Sequence, residues 1–157
     1  RGRELKLVEG NSYYELAKKY GLEVKMHKLT ETIGAFAIQG EIAGPGLQKN
    51  RLGLKEPEFF AFNAYSIQNG HYYNAEEFLN ICEVLSVKTV PIVGLNVLID
   101  ADLEGWLKMA EAQQYTNGAP TEGIVVRPMQ EQRSVVLGGR LSFKIVSNKF
   151  LLKNGDA

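Results

Sequence analysis

Cysteine is nearly absent from this 157-residue chain, where Cys82 stands alone. A single thiol excludes an intrachain disulfide framework and a Cys-based zinc site, and it fits a reducing compartment, cytoplasmic or another intracellular one. Histidine is scarce as well: His27 and His71 lie far apart in sequence, which argues against a His-rich metal site. No sign of charge is in excess, because 18 Lys and Arg offset 18 Asp and Glu. No bulk basic field therefore announces nucleic acid, and any such surface must be local. No apolar run is long enough to cross a bilayer, and no signal peptide precedes the first residues. The chain opens on Arg1 rather than Met, as an excised fragment or a processed product would. Internal repeats and low-complexity segments are missing too.

What is present reads as one domain with a substantial core: 45% of residues are hydrophobic and 23% charged. Leu5 and Leu7 alternate as in an edge strand. Asn11 or Ser12 caps a helix carrying Tyr13, Leu16, Ala17 and Tyr20, which Gly21 stops. Leu22 to Leu29 continues as a second short helix. Phe36 to Ala43 is a strand with Phe36, Ile38 and Ile42 on one face and Ala37, Gln39 and Glu41 on the other. Glu58 to Ile67 is apolar enough to be a central strand, and Asn69-Gly70 turns it back onto Tyr72-Tyr73. Asn74 caps a helix burying Phe78, Leu79, Cys82 and Leu85. Val87 to Leu98 runs as strand and connector, and Asp100 caps a helix with the buried stripe Leu103, Trp106, Leu107 and Ala110. Strands are expected over Glu122 to Arg127, Val135 to Leu137 and Leu141 to Val146, the last two separated by Gly138-Gly139. Asn148 to Leu152 is a short amphipathic tail. Strands in hairpins with helices inserted between them give an α+β class with antiparallel sheets.

Four segments place a reactive or aromatic side chain on an apolar strand. Gln39-Gly40-Glu41 ends a strand just before the Gly44-Pro45-Gly46 turn. Alternation puts Phe60 and Phe62 on one face of the next strand and Phe59 on the other. Glu122 enters a strand beside Gly123, a residue that lets backbone approach closely. Lys144 sits inside a strand that would otherwise be core, which requires its ammonium to meet an anion or reach water. Carboxylates can accept ribose hydroxyls or hold Mg²⁺, an ammonium can neutralise phosphate, and a Phe face can stack on a purine. The Gly-Pro-Gly turn lacks the Lys-Ser/Thr of a phosphate-cradling P-loop. Each residue also has a plain reading: Glu41 as an exposed strand end, Phe62 as core, Glu122 as a loop-edge charge. His27 and His71 read as surface or cap residues and Trp106 as core. Lys18, Lys19, Arg51, Lys55, Arg133 and Arg140 read as solvated charge, some of it available to an RNA backbone.

The ordered set Gln-Gly-Glu-Ile-Ala-Gly-Pro-Gly-Leu-Gln-Lys-Asn, Phe-Phe-Ala-Phe-Asn, Glu-Gly-Ile-Val-Val-Arg and Ser-Phe-Lys-Ile-Val-Ser-Asn-Lys-Phe-Leu-Leu-Lys resembles the ATP-dependent RNA ligases of the RNA ligase 2-like group. These are covalent nucleotidyltransferases, and the four segments correspond to their motifs III, IIIa, IV and V. The resemblance implies a ligase-type nucleotidyltransferase domain, antiparallel sheets flanked by helices with a nucleotide groove between them. It also implies ATP and Mg²⁺ as cofactors, RNA ends as partners, and a place in RNA repair. In the implied reaction a lysine takes AMP from ATP, passes it to an RNA 5′-phosphate, and a 3′-hydroxyl then displaces it to seal the strand. Glu41 would bind the ribose hydroxyls and Phe62 would stack on adenine. Glu122 would position Mg²⁺, directly or through water, and Lys144 would contact the α-phosphate. Arg1 would be the arginine of motif Ia.

Two departures from the family pattern stand out. The nucleophile motif Lys-x-Asp-Gly does not occur in these residues; in the family it lies upstream. The expectation is a partial catalytic domain over residues 1–157 that alone forms no lysyl-AMP. Relatives often carry a second motif V lysine two residues on. Val146 stands there instead, leaving Lys144 alone unless Lys149 or Lys153 compensates. A second reading, a non-catalytic nucleotide- or RNA-binding module, follows from the missing lysine.

Overall fold

Local capping rules lay out the first helices. In the computed structural model, which describes residues 10–47, 50–98 and 102–154, α1 spans Ser12–Tyr20, and the Asn11 side chain accepts the Tyr13 amide at 3.0 Å. Gly21 adopts a left-handed φ of 61° and returns its N–H to the Ala17 and Lys18 carbonyls, ending α1 as a glycine C-cap does. The same glycine starts α2 (Leu22–Ile33), so the second helix runs four residues beyond the expected Leu29. The edge strand expected around Leu5 and Leu7, and Arg1 with it, lies outside the described residues.

Strand β1 (Phe36–Ala43) has the predicted bounds and pairs antiparallel with β2 (Glu58–Ser66). Between them Gly44, Pro45, Gly46 and Leu47 close a tight turn: the Leu47 amide reaches the Gly44 carbonyl at 3.0 Å, and Gly46 has φ +77°. Proline second and a positive-φ glycine third are the type II turn pattern. Asn50 then clasps Leu54 from both sides, its amide donating to the Leu54 carbonyl (2.9 Å) and accepting the Leu54 N–H (3.0 Å). Strand β2 is central, as its apolar run predicts: β1 lies along it, β3 (His71–Tyr72) pairs antiparallel at Tyr65 and Ser66, and β4 (Lys88–Thr89) pairs in parallel at Phe60 and Ala61.

The chain divides into two units, the first comprising Arg1–Asn50, Leu54–Tyr73 and Glu77–Val90. Its core is Phe36, Ala61, Ala64, Ile81, Cys82, Leu85 and Val87, covered by partly buried residues of α1, α2 and α3 (Ala75–Leu85). Ile81 belongs to this core although the expected stripe omitted it. The Lys25 ammonium caps the end of α3 by donating to the Leu85 carbonyl at 2.8 Å. Cys82 is a free, buried thiol, and burial pushes its pKa up to about 11, so it is a packing residue rather than a nucleophile.

The second unit holds Arg51–Gly53, Asn74–Glu76 and Pro91–Ala157. Its helix α4 (Leu103–Ala112) is capped by Asp102, whose side chain accepts the Glu104 amide at 3.0 Å; Asp100 lies outside the described residues. Ala110 is fully buried against Ile124 and Ile145, with Trp106, Leu107, Met109 and Val126 around them. Leu103 departs from the expected stripe and is 68% exposed, because it sits in the first turn, ahead of the face that meets the strands. β5 (Gly123–Val126) pairs antiparallel with β8 (Phe143–Val146).

The hairpin before β8 differs from expectation. Val135 to Leu137 is not a strand; it is the exposed turn joining β6 (Arg133–Ser134) to β7 (Gly139–Arg140), and the Gly138 amide closes it on the Val135 carbonyl at 3.2 Å. The strand expected over Leu141 to Val146 is shorter than that: β8 starts at Phe143, and Leu141 and Ser142 link it to β7. Likewise only Lys88–Thr89 of the Val87 to Leu98 segment is strand. β-Branched composition favours strands only where a neighbouring strand or core receives the side chains. Helix α5 (Asn148–Asn154) buries Phe150. No described helix is long and apolar enough to cross a membrane.

Candidate functional site

In the first unit the candidate residues lie on the β1–β2 ladder. Glu41 is exposed and stands in register with Phe60. Just before it, the register slips by one residue: Gln39 faces Asn63 while Gly40 faces Ala61. Phe62 is the extra residue of this β-bulge and is partly buried. Bulges re-aim side chains and raise local twist. Here the bulge resets the alternation, so that Phe59 and Ala61 face the core before it and Ala64 after it. The strict alternation that grouped Phe60 with Phe62 therefore ends at Ala61, and Asn63 takes the position beside Gln39.

Asn63 was not singled out in the sequence. It is 8% exposed, and its amide donates to the Gln39 side-chain oxygen at 3.2 Å. A buried polar side chain inside an apolar strand is the signal that could have found it. Gly40 has a steric reason. A Cβ there would collide with the Phe59 ring and the Phe60 carbonyl, so glycine lets the two strands approach beside Glu41.

In the second unit Glu122 and Lys144 come together. Lys144 pairs with Val125 in the β5–β8 register, and its ammonium donates to the Glu122 carboxylate in an ion pair. About half of each side chain remains open to solvent, 47% for Lys144 and 50% for Glu122. Both requirements set for a lysine on this strand are met: an anion and access to water. The backbone that Gly123 admits closely is that of β8: a Cβ on Gly123 would strike the Ile145 carbonyl, and its φ is +153°. Val146 lies opposite Gly123 in the ladder. Lys149 and Lys153 are exposed on α5.

The expected solvated cations divide. Lys19 is paired with Glu56 at 2.9 Å, and that hydrogen bond raises its pKa. The Arg51 guanidinium lies over the Phe150 ring at 4.6 Å. Arg140 is not simply solvated: it is 19% exposed and donates through Nε and a terminal nitrogen to Glu131 at 2.9 and 2.7 Å. The cross-strand register, which places Arg140 beside the Glu131 end of β6, explains this capture. His27 and His71 are exposed, as expected. Among the described residues no cluster of three or more His, Cys, Asp or Glu could hold a metal ion.

A family model described as RNA ligase matches residues 1–146. The chain belongs to the RNA ligase family. Its structure is similar to that of a Naegleria gruberi RNA ligase with PPi, at 27% identity and a TM-score of 0.81, over 98% of this chain and 44% of that one. A lysine-to-alanine variant of the Naegleria ligase with ATP and Mn matches at 28% identity and a TM-score of 0.82, with the same two coverages. A lysine-to-methionine variant with AMP and Mn matches at 28% and 0.81, again over 98% and 44%. This chain thus spans less than half the length of the ligases it matches. Comparison with curated protein sequences returned no match. The α+β class and its ligase-type nucleotidyltransferase fold agree with the sequence reading.

Proposed function

We propose that residues 1–157 are part of the nucleotidyltransferase domain of an ATP-dependent RNA ligase that joins RNA 5′-phosphate and 3′-hydroxyl ends. The observation that carries this reading is the RNA ligase family match across residues 1–146, a span that includes the first three motif segments whole and the fourth from Ser142 to Val146, with Lys144. In the proposed scheme a lysine amine attacks the ATP α-phosphorus. A P–N bond forms, the bond to the bridging oxygen breaks, and pyrophosphate leaves with that electron pair. AMP then passes to the RNA 5′-phosphate, and the 3′-hydroxyl displaces it.

This chain's residues take binding roles in that scheme. Glu41, exposed on β1, accepts hydrogen bonds from the ribose hydroxyls. Phe62, carried outside strict alternation by the bulge, stacks on adenine, an interaction worth about 1–3 kcal/mol per base. Lys144 offers positive charge to the α-phosphate. The Glu122–Lys144 pair, half open to solvent, is arranged so that an incoming phosphate can share the ammonium and release the carboxylate. Glu122 alone is a sparse protein site, yet it fits Mg²⁺, which keeps most of its waters and takes one or two carboxylates plus substrate phosphates. A bound divalent ion would supply charge neutralisation at the phosphates. Arg1, outside the described residues, is assigned to motif Ia by resemblance alone.

The 157 residues contain no Lys-x-Asp-Gly, which also favours the second reading, a nucleotide- or RNA-binding module without catalysis. One experiment separates the two. The natural protein, with whatever segment precedes Arg1, is incubated with ATP radiolabelled at the α-phosphate and Mg²⁺. Acid-stable labelling of the protein is the expected result. Binding of ATP without any label would support the module instead.

A further inference from the structure

We infer that Gln39 and Asn63 form a positioning clasp for Phe62: their hydrogen bond pins the β-bulge and so fixes the ring that meets the nucleobase. The inference rests on the proposed role of Phe62 and deepens it.

The reasoning starts from what a bulge costs. An extra residue interrupts the ladder and gives the backbone a choice of registers. In one register Phe62 would face Gln39 and Asn63 would fall on the core side with Ala61. In the observed register Asn63 faces Gln39 and Phe62 stands at the bulge. Something has to select between them. Apolar packing contributes through Ala61 and Ala64, both essentially fully buried, but alanines fill little volume and discriminate weakly. The Asn63 amide is the strongly selective group. At 8% exposure it must keep hydrogen-bond partners, and Gln39 supplies one at 3.2 Å only in the observed register. Slipping the strand would carry that amide towards Phe36, Leu85 and the rest of an apolar core, where an unsatisfied amide is costly. The clasp is two residues from Glu41 along β1 and next to Phe62 along β2, so it joins the ribose-side and base-side residues on a single ladder.

The test is a double-mutant cycle on ATP binding to the 157-residue chain, read by titration calorimetry in Mg²⁺ buffer. F62A alone is expected to weaken ATP binding about tenfold, the loss of one stacked base. N63A alone is expected to weaken it about fivefold, the scale of one hydrogen bond. In the F62A background N63A should add less than about twofold, because there is no ring left to position. Q39A, which removes the partner from the other strand, should reproduce the N63A result if the N63A chain does not fold. N63D should recover most of the affinity, since Gln39 can turn its amide and donate to the new carboxylate. Equal weakening by N63A with and without Phe62 would overturn the clasp while leaving the stacking role intact. An F62A chain that binds ATP unchanged would overturn the stacking role, and the clasp with it.

Discussion

Each unit carries a glutamate next to a glycine that presses on the neighbouring strand, and the two are built in mirror order. In β1 the glycine comes first, Gly40 then Glu41. At the entrance to β5 it comes second, Glu122 then Gly123. In both, a Cβ would collide with the paired strand, at the Phe59 ring and Phe60 carbonyl in one case and at the Ile145 carbonyl in the other. The settings differ in charge. Next to Glu41 the ladder offers Phe60, Phe62, Gln39 and Asn63, neutral groups suited to a sugar and a base, while Glu58, one step further along the same face, is ion-paired with Lys88. Around Glu122 it offers Lys144, a cation suited to phosphate. The same backbone device thus holds one carboxylate that makes no ion pair among the described residues and another that is ion-paired with a lysine.

The largest effect should come from filling the glycine sites. Gly123→Ala places a methyl against backbone that cannot turn aside and forces a residue with a side chain to φ +153°, so it should cost about 4 kcal/mol by urea unfolding. Gly40→Ala meets a backbone carbonyl too, but it needs no positive φ and part of its clash is with a ring that can move. It should cost about 2 kcal/mol. Equal losses would mean that backbone conformation does not separate the two sites.

Next in size is a split in ligand preference. Under the proposed assignment, Lys144→Ala should weaken AMP and ATP binding about tenfold and leave adenosine affinity unchanged, since only the phosphates lose a charge partner. Glu41→Ala should weaken adenosine, AMP and ATP by one common factor of about five. Stability should move by less than about 1 kcal/mol in either variant, both side chains being exposed. Calorimetric titration with the three ligands reads the split, and a Lys144→Ala chain that loses adenosine as well would erase the contrast.

Much of this comparison was legible in the sequence. Caps and glycine stops placed α1 and the start of α2, and continuous apolar character made β2 central, because those signals are local or depend on burial alone. Glu41, Glu122 and Lys144 were visible as charges on otherwise apolar strands. The bulge was not visible: it depends on how two strands align, and a single strand's alternation cannot report its partner's register. The place of Asn63 beside Gln39 is hidden from the sequence for that reason. Val135 to Leu137 reads as strand and folds as a turn for a related one, since β-branched residues mark a strand only where something pairs with them. The Arg140–Glu131 pair depends on that turn, which folds β7 back beside β6.

The smallest effect distinguishes the two cores rather than the two glutamates. The first holds an ionisable group, Cys82, while the second, built on Ala110, Ile124 and Ile145, has none. Burial raises the Cys82 thiol from 9.0 to about 11. The unfolded chain therefore releases this proton at lower pH than the folded one. Stability from the buried neutral thiol is complete below about pH 9 and is lost as pH rises towards 11, because in that window the unfolded state binds fewer protons. At pH 10 the loss should be about 1 kcal/mol. Tyrosines and lysines titrate in the same range, so the measurement is a difference. Urea unfolding of the unchanged chain and of Cys82→Ala is compared at pH 8 and at pH 10. The substitution costs packing at both values, but the gap between the two chains should narrow by about 1 kcal/mol at the higher pH. A gap that stays constant would mean that the thiolate is tolerated where Cys82 sits, and the first core would then be no more sensitive to alkali than the second.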